Sequence, residues 1–457
     1  MLDDIKKYAR SLVTEKYMVN TLSKIVSIPS TIQSPEMKKE VLSVFLEFAK
    51  YEGYDVEEHE EYGSVLLRNL NENLEVGIIV HLDVVPAGPG WNFDPFKLTQ
   101  WNGLLIGRGT LDDKGPAIVA LTAMKYFMYN KVSLPFSIRL FLGCDEESGM
   151  GDIEKFLCSY KAPDFSFTPD NVFPVCCGEN GLATIMVSSE IGDDIVSLMG
   201  KTIVNSPSSY AKAVFSHDLP VPIEEDSLPS CIQKHKNVIE VINTYPLTEK
   251  PFNAIQLLCQ HMYNNEILSK TSRKAIELIL MLSATGLDQY ENTYMRLSKP
   301  DYLNVRCDSI RVKDGKLITK YQVRYAALSN FNDITANLEK KIKPYNSSLT
   351  VLRNRSGLIF DSDARKTTCL LNAYQETTGD IASPFFDDYG TYAAVLPNTV
   401  AFGMRTPQPH NLLGNGRGNM HEKDEYISLE EMKIGLETYI RAIYQLGKFY
   451  NCNEGNK

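Results

Sequence analysis

Residues 76–80, VGIIV, are apolar without interruption and lead directly into His81-Leu-Asp83. A strand with no polar side must be covered on both faces, so this segment belongs inside a helix-covered sheet. The neighbouring segments agree. SPEMKKEVLSVFLEFAKYEGY (34–54) has the spacing of an amphipathic helix, with Ser34 as N-cap and Gly53 near its end. KGPAIVALTAMKYFMYN (114–130) is a second helical pattern, and FSIRLFLGC (136–144) and FSFTPD (165–170) are strands around a short helix near 151–160. This alternation predicts an α/β domain with a largely parallel sheet.

From about residue 183 the texture changes. Strand patterns at ATIMVSS (183–189), LITKYQVRYAA (317–327) and SLTVLRN (348–354) are interleaved with helices near 252–264 and 331–343, which predicts an inserted α+β unit. The α/β pattern returns after 360, with a helix at 367–379, a strand at 399–404 and a terminal helix at 428–449. The expected division is therefore 1–182 and 359–457 for the α/β domain and 183–358 for the insert. A chain of 457 residues is long enough for separate cores of this kind.

Composition removes several functional classes. No apolar run approaches the roughly 18 residues of a membrane span, and MLDDIKKYARSLVTEKYMVN at the start lacks a signal-peptide core. A cytoplasmic protein with no membrane partner is expected. Nine cysteines, an odd number with no C-x-x-C and with Cys176 beside Cys177, predict reduced thiols rather than a disulfide framework. The net charge of −10 argues against nucleic acid, whose binding is driven by basic patches. A small substrate is compatible with that charge.

Acids and histidines concentrate at the ends of the predicted strands. In His81-Leu-Asp83, strand alternation puts both side chains on one face, where Asp83 can orient the imidazole. In GRGTLDDKGP (107–116), Asp112 and Asp113 precede a helix, so one can cap while the other points into a cleft. GCDEESG (143–149) places three acids after an apolar strand, and FTPD (167–170) ends on Asp170. Either could be a solvated turn, but the carboxyl ends of strands are where open α/β sheets bind ligands. His421 lies in NMHEKDEYI; this is not a zincin motif, since Glu425 stands where HExxH needs histidine. Together these segments supply the donors that a pair of first-row divalent ions needs.

The ordered string HLDVVPAGPGWNFDPF, GRGTLDDKGP, GCDEESG, FTPDNVFPV and GENG, closed by GTYAAVLPNTVAFG and MHEKDEYISLEEM, resembles the dipeptidase branch of peptidase family twenty of the metallopeptidases. That group is related to aminoacylases and carboxypeptidase G. The resemblance covers most of 1–185 and 359–440. It implies a dinuclear zinc site, with manganese or cobalt as alternatives, in which His81 and Asp170 hold one ion, Glu147 and His421 the other, and Asp112 bridges. Glu146 would be the general base, with Asp83 beside His81, and the Asp112–Asp113 peptide would be cis. The insert would be a lid carrying Asn205 and Arg324, the latter receiving the substrate carboxylate. The implied activity is hydrolysis of dipeptides or similar short amides, by a monomer or a homodimer.

The chain also departs from that pattern. Aligning backwards from Asn253-Ala254 puts Thr244 where the family lid carries an oxyanion-binding histidine, and Pro251 where it has glycine. Asp388-Tyr389 replace two glycines, and Ala394 replaces an arginine. Two further readings follow: a metal-loaded pseudoenzyme or peptide-binding protein, and an N-acyl amino acid deacylase.

Overall fold

The computed structural model describes residues 2–68, 73–201, 208–220, 231–242, 253–283, 303–360, 364–387, 390–407 and 411–454. The chain divides into two compact units, Met1–Gly178 with Ile359–Lys457, and Glu179–Leu358.

The first unit is α/β. Its sheet runs in the order Asp55–Glu58, Tyr62–Leu67, Ser137–Gly143, Glu75–His81, Phe165–Thr168, Thr399–Ala401 and Cys176–Glu179. The four middle strands are mutually parallel. The edge formed by Asp55–Glu58 and Tyr62–Leu67 is antiparallel. Val76, Ile78, Ile79 and Val80 are all fully buried, as an uninterrupted apolar strand requires. One face of this sheet is covered by the helix Lys114–Tyr129, which packs on Leu12–Val26 and on the terminal helix Leu429–Glu454.

Helix boundaries follow their local chemistry. Pro35 opens the helix Pro35–Tyr51, a position where its missing N–H costs nothing. Ser34 is the N-cap by position, but its side chain makes no capping bond. Ser11 does cap Leu12–Val26, its hydroxyl accepting from Thr14 N. That helix carries seven buried residues, beginning with Thr14 and Met18.

The second unit is α+β. Among the described residues, eight strands form an antiparallel sheet in which Gly181–Glu190 pairs with both Lys316–Tyr325 and Ser348–Arg355. The helices Ala254–Asn264 and Lys270–Ser283 pack on this sheet, and its core centres on residues such as Ile185, Ile255, Ile276 and Tyr321.

The parallel strands of the first unit deliver their carboxyl ends to one region, and the turn after Ser137–Gly143 shows how such an end is held. Asp152 is buried, and its Oδ2 accepts from Cys144 N at 2.7 Å, Asp145 N at 2.9 Å and the Tyr392 hydroxyl at 2.5 Å. Burial raises the Asp152 carboxyl to about 6 despite these donors. Removing one donor from so deeply buried an acid is costly. Tyr392→Phe should lower stability by about 1–3 kcal/mol in urea unfolding. An unchanged midpoint would show that this bond does not hold the turn.

Candidate metal centre

Five side chains from five segments of the first unit converge at the carboxyl ends of its strands. His81 is the last residue of its strand and is fully buried. Asp112 lies in the turn before the helix Lys114–Tyr129, Glu147 in the turn after Ser137–Gly143, and Asp170 just past Phe165–Thr168. His421 precedes the short strand Tyr426–Ser428 and adopts φ +61°, a left-handed conformation in which histidine is enriched among non-glycine residues.

Asp112 stands at the centre of the group. Its Oδ1 is 3.0 Å from His81 Nε2, and its Oδ2 is 3.0 Å from His421 Nε2. Asp170 Oδ2 lies 3.8 Å from His81 Nε2, and Glu147 Oε1 lies 3.0 Å from His421 Nε2. Two donor groups result, His81–Asp112–Asp170 and Asp112–Glu147–His421, each with its ligand atoms within 4.8 Å of one another. Asp112 belongs to both. Nitrogen and carboxylate donors at this spacing suit zinc, manganese or cobalt. The residues therefore fit the pair of cations that the family resemblance implies.

The electrostatics fit it too. Burial raises Asp170 to about 8, with the Asp112 charge adding to the effect. Burial also raises Glu146 and Glu147 above the usual carboxylate range, and the surrounding acids contribute. Against burial, hydrogen bonds to Asp112 and Glu147 lift His421 to about 11. Burial likewise opposes the rise at His81, which Asp112 and Asp83 drive well above the ordinary imidazole value. Crowded acids and proton-retaining imidazoles are what a divalent cation relieves, since it replaces those protons with its own charge.

Asp83 differs in detail from its expected role. The strand ends at His81, so the acceptor nearest His81 Nδ1 is the main-chain carbonyl of Asp83 at 3.0 Å, with the carboxylate at 3.5 Å. The Asp83 carboxylate accepts instead from Glu146 N and Glu147 N, each at 3.3 Å. One residue thus orients the His81 ring and the acidic turn together.

The capping reading of the Asp112-Asp113 pair is corrected. Asp113 is the N-cap of Lys114–Tyr129 by position but makes no side-chain cap; its Oδ2 accepts from His81 N at 3.2 Å. The Asp112–Asp113 peptide is cis, as the resemblance implies. Glu146 is half-buried beside Glu147 and belongs to neither donor group. Arg324 lies in the second unit on Lys316–Tyr325, in register with Leu182 and Asn304. Asn205, Thr244, Pro251, Asp388 and Tyr389 fall outside the described residues. Ala394 ends the short helical turn Tyr392–Ala394. Asp152 was missed in the sequence because GDIEKF reads as an ordinary helix start; only its burial under Tyr392 reveals its function.

A parallel sheet with helices packed on it, an α+β insert and two donor groups sharing one carboxylate suit a two-cation enzyme. A model of peptidase family M20/M25/M40 matches residues 77–445, and the chain belongs to that family. A provisionally named dipeptidase of Staphylococcus haemolyticus is 25% identical over 453 residues, covering 91% of each chain. Another from Bacillus subtilis is 25% identical over 430 residues, covering 89% of this chain and 90% of its own. Among solved structures, human carnosine dipeptidase 1 superposes with a TM-score of 0.63 at 16% identity, covering 98% of this chain and 99% of its own. The di-peptidase Dug1p of Saccharomyces cerevisiae gives 0.61 at 13% identity, covering 98% of each.

Metal uptake should release protons, because the ions displace them from His81, His421 and the raised carboxyls. These groups hold protons more tightly than their ordinary values, so affinity is weakest at low pH. It should climb as pH rises through the Asp170 value of about 8. Calorimetry in buffers of differing ionisation enthalpy measures the release; pH-independent binding with none would contradict the assignment.

Proposed function

We propose that this peptidase hydrolyses dipeptides, holding two zinc ions through His81, Asp112, Glu147, Asp170 and His421, with Glu146 as general base. The observation that carries this reading is Asp112, one carboxylate with an oxygen 3.0 Å from each of two histidines. The dipeptidase names of full-length relatives support the substrate class. When bound, the ions would supply Lewis acidity that activates a water and polarises the scissile carbonyl.

The remaining chemistry belongs to the chain. Glu146 stands beside a ligand without belonging to either donor group, and burial raises its proton affinity. A carboxylate tuned upward takes a proton from water and returns it to the leaving amine more readily than an ordinary one. Asp83 keeps Glu146 and Glu147 in register through their main-chain N–H groups. The adjacent acids therefore divide their labour, Glu147 binding metal and Glu146 moving the proton.

Residues 183–358 are assigned as the lid. Arg324 is assigned to the substrate carboxylate, which a guanidinium fork suits, and Asn205 to substrate contact by its match to the family pattern. A cytoplasmic location is supported by nine free cysteines, two of them exposed, as a reducing compartment allows. Among the described residues no helix is long and apolar enough to cross a membrane.

The test is a panel of free and N-acetylated dipeptides with purified protein and added zinc or manganese. Turnover of the free dipeptides, abolished by chelator, is expected. Glu146→Ala should retain both ions while losing about 10²–10⁴ in rate. Undiminished hydrolysis by that variant would overturn the assigned base. Exclusive turnover of acetylated substrates would overturn the dipeptide reading.

A further inference from the structure

Four residues beyond His421, Glu425 belongs to neither donor group. It is nevertheless fully buried. Its Oε1 accepts from three main-chain N–H groups, those of Gly109 at 3.0 Å, Leu111 at 2.9 Å and Asp112 at 3.2 Å. Its Oε2 accepts from the guanidinium of Arg108, itself buried and lying 5.1 Å from the Trp91 ring. The Glu425 carbonyl accepts from Gly107 N at 2.9 Å. One residue therefore gathers the whole turn from 107 to 112.

The geometry bears on the metal centre because it fixes the main chain at Asp112. A side chain as short as aspartate has little reach of its own, so the direction of its two oxygens follows the orientation of its backbone. Those oxygens must face His81 and His421 at once. Glu425 lies in the same short segment as His421, so its bonds also tie the second histidine to the turn that carries the bridge. Charged acceptors of main-chain N–H groups are among the strongest hydrogen bonds a fold can use for such a purpose. Residues behind the ligands commonly set metal affinity in this way.

We propose that Glu425 is a positioning residue: by clamping the 107–112 turn to the His421 segment, it holds Asp112 in the orientation that lets one carboxylate serve two cations. The inference rests on the two-cation reading of the site. It predicts that weakening the clamp separates the two ions in affinity and uncouples them, before it unfolds the protein.

The experiment compares the wild-type chain with Glu425→Gln, Glu425→Asp and Asp424→Asn, each titrated with Mn²⁺. Glutamine removes the charge, and aspartate keeps the charge but shortens the reach by one methylene. Asp424 is the control for losing a buried carboxylate nearby: it accepts from Asn92 N at 2.7 Å, Phe93 N at 3.2 Å and the Arg417 guanidinium, and makes no bond to the 107–112 turn that carries Asp112. Equilibrium dialysis gives the two affinities, electron paramagnetic resonance gives the spin coupling between the ions, and thermal melting gives stability.

In both Glu425 variants the second ion should bind about 10–100-fold more weakly, with the coupled signal reduced, while Asp424→Asn retains both. If Glu425→Gln does not fold, Glu425→Asp carries the same expectation. Two ions bound with wild-type affinity and coupling in the folded Glu425 variants would overturn the proposal. So would an equal loss in Asp424→Asn, which would reduce Glu425 to general stability. Uptake of a single ion by the wild-type chain would instead overturn the two-cation reading on which the proposal stands.

Discussion

Asp112 presents one oxygen to His81 and the other to His421, each at 3.0 Å, from a turn that is almost entirely buried. Everything else at the centre is arranged around that shared carboxylate. A buried acid between two imidazoles is held by their hydrogen bonds well below the usual carboxylate range, even though burial alone would raise it. The adjoining acids behave oppositely: burial raises Asp170, Glu146 and Glu147. Cations bound there would offset this crowding of acids.

Around His81 and Glu147 the main chain is met by acids that belong to neither donor group. Asp83 accepts from the N–H groups of Glu146 and Glu147, and Asp152 from those of Cys144 and Asp145. Asp113 accepts from His81 N. Strand ends leave N–H groups unpaired, and carboxylates are the acceptors that satisfy them most strongly. The positions of His81 and the 144–147 turn are thus set by hydrogen bonds to backbone on the carboxyl edge of the parallel sheet, where such folds place their ligands.

Much of this was legible in the residues themselves. VGIIV could only be an inner strand, and it became Glu75–His81 between two parallel neighbours. The spacing of KGPAIVALTAMKYFMYN became the helix Lys114–Tyr129, and the alternation after 183 became an antiparallel sheet. The acidic runs at 112–113 and 146–147 were visible as candidates. What separated a donor-group member from its neighbour was not, because both carboxylates have the same chemistry until the fold aims them. Asp112 faces two histidines while Asp113 turns back to a main-chain N–H. The expected alternation of His81 and Asp83 on one strand also missed the observed contact, since the strand stops at His81 and the main-chain carbonyl of Asp83 takes the nearer place. Strands such as Tyr210–Phe215 and Val238–Ile242 carried too short and too mixed a pattern to be read in isolation; their pairing with each other supplies what propensity did not.

The central claim is that one aspartate joins two metal sites, and anomalous diffraction from zinc-loaded crystals tests it most directly. Two peaks at the zinc edge are predicted, one between His81 and Asp170 and one between Glu147 and His421, with a carboxylate oxygen of Asp112 on each. A single peak, or two peaks that do not share Asp112, would contradict the account.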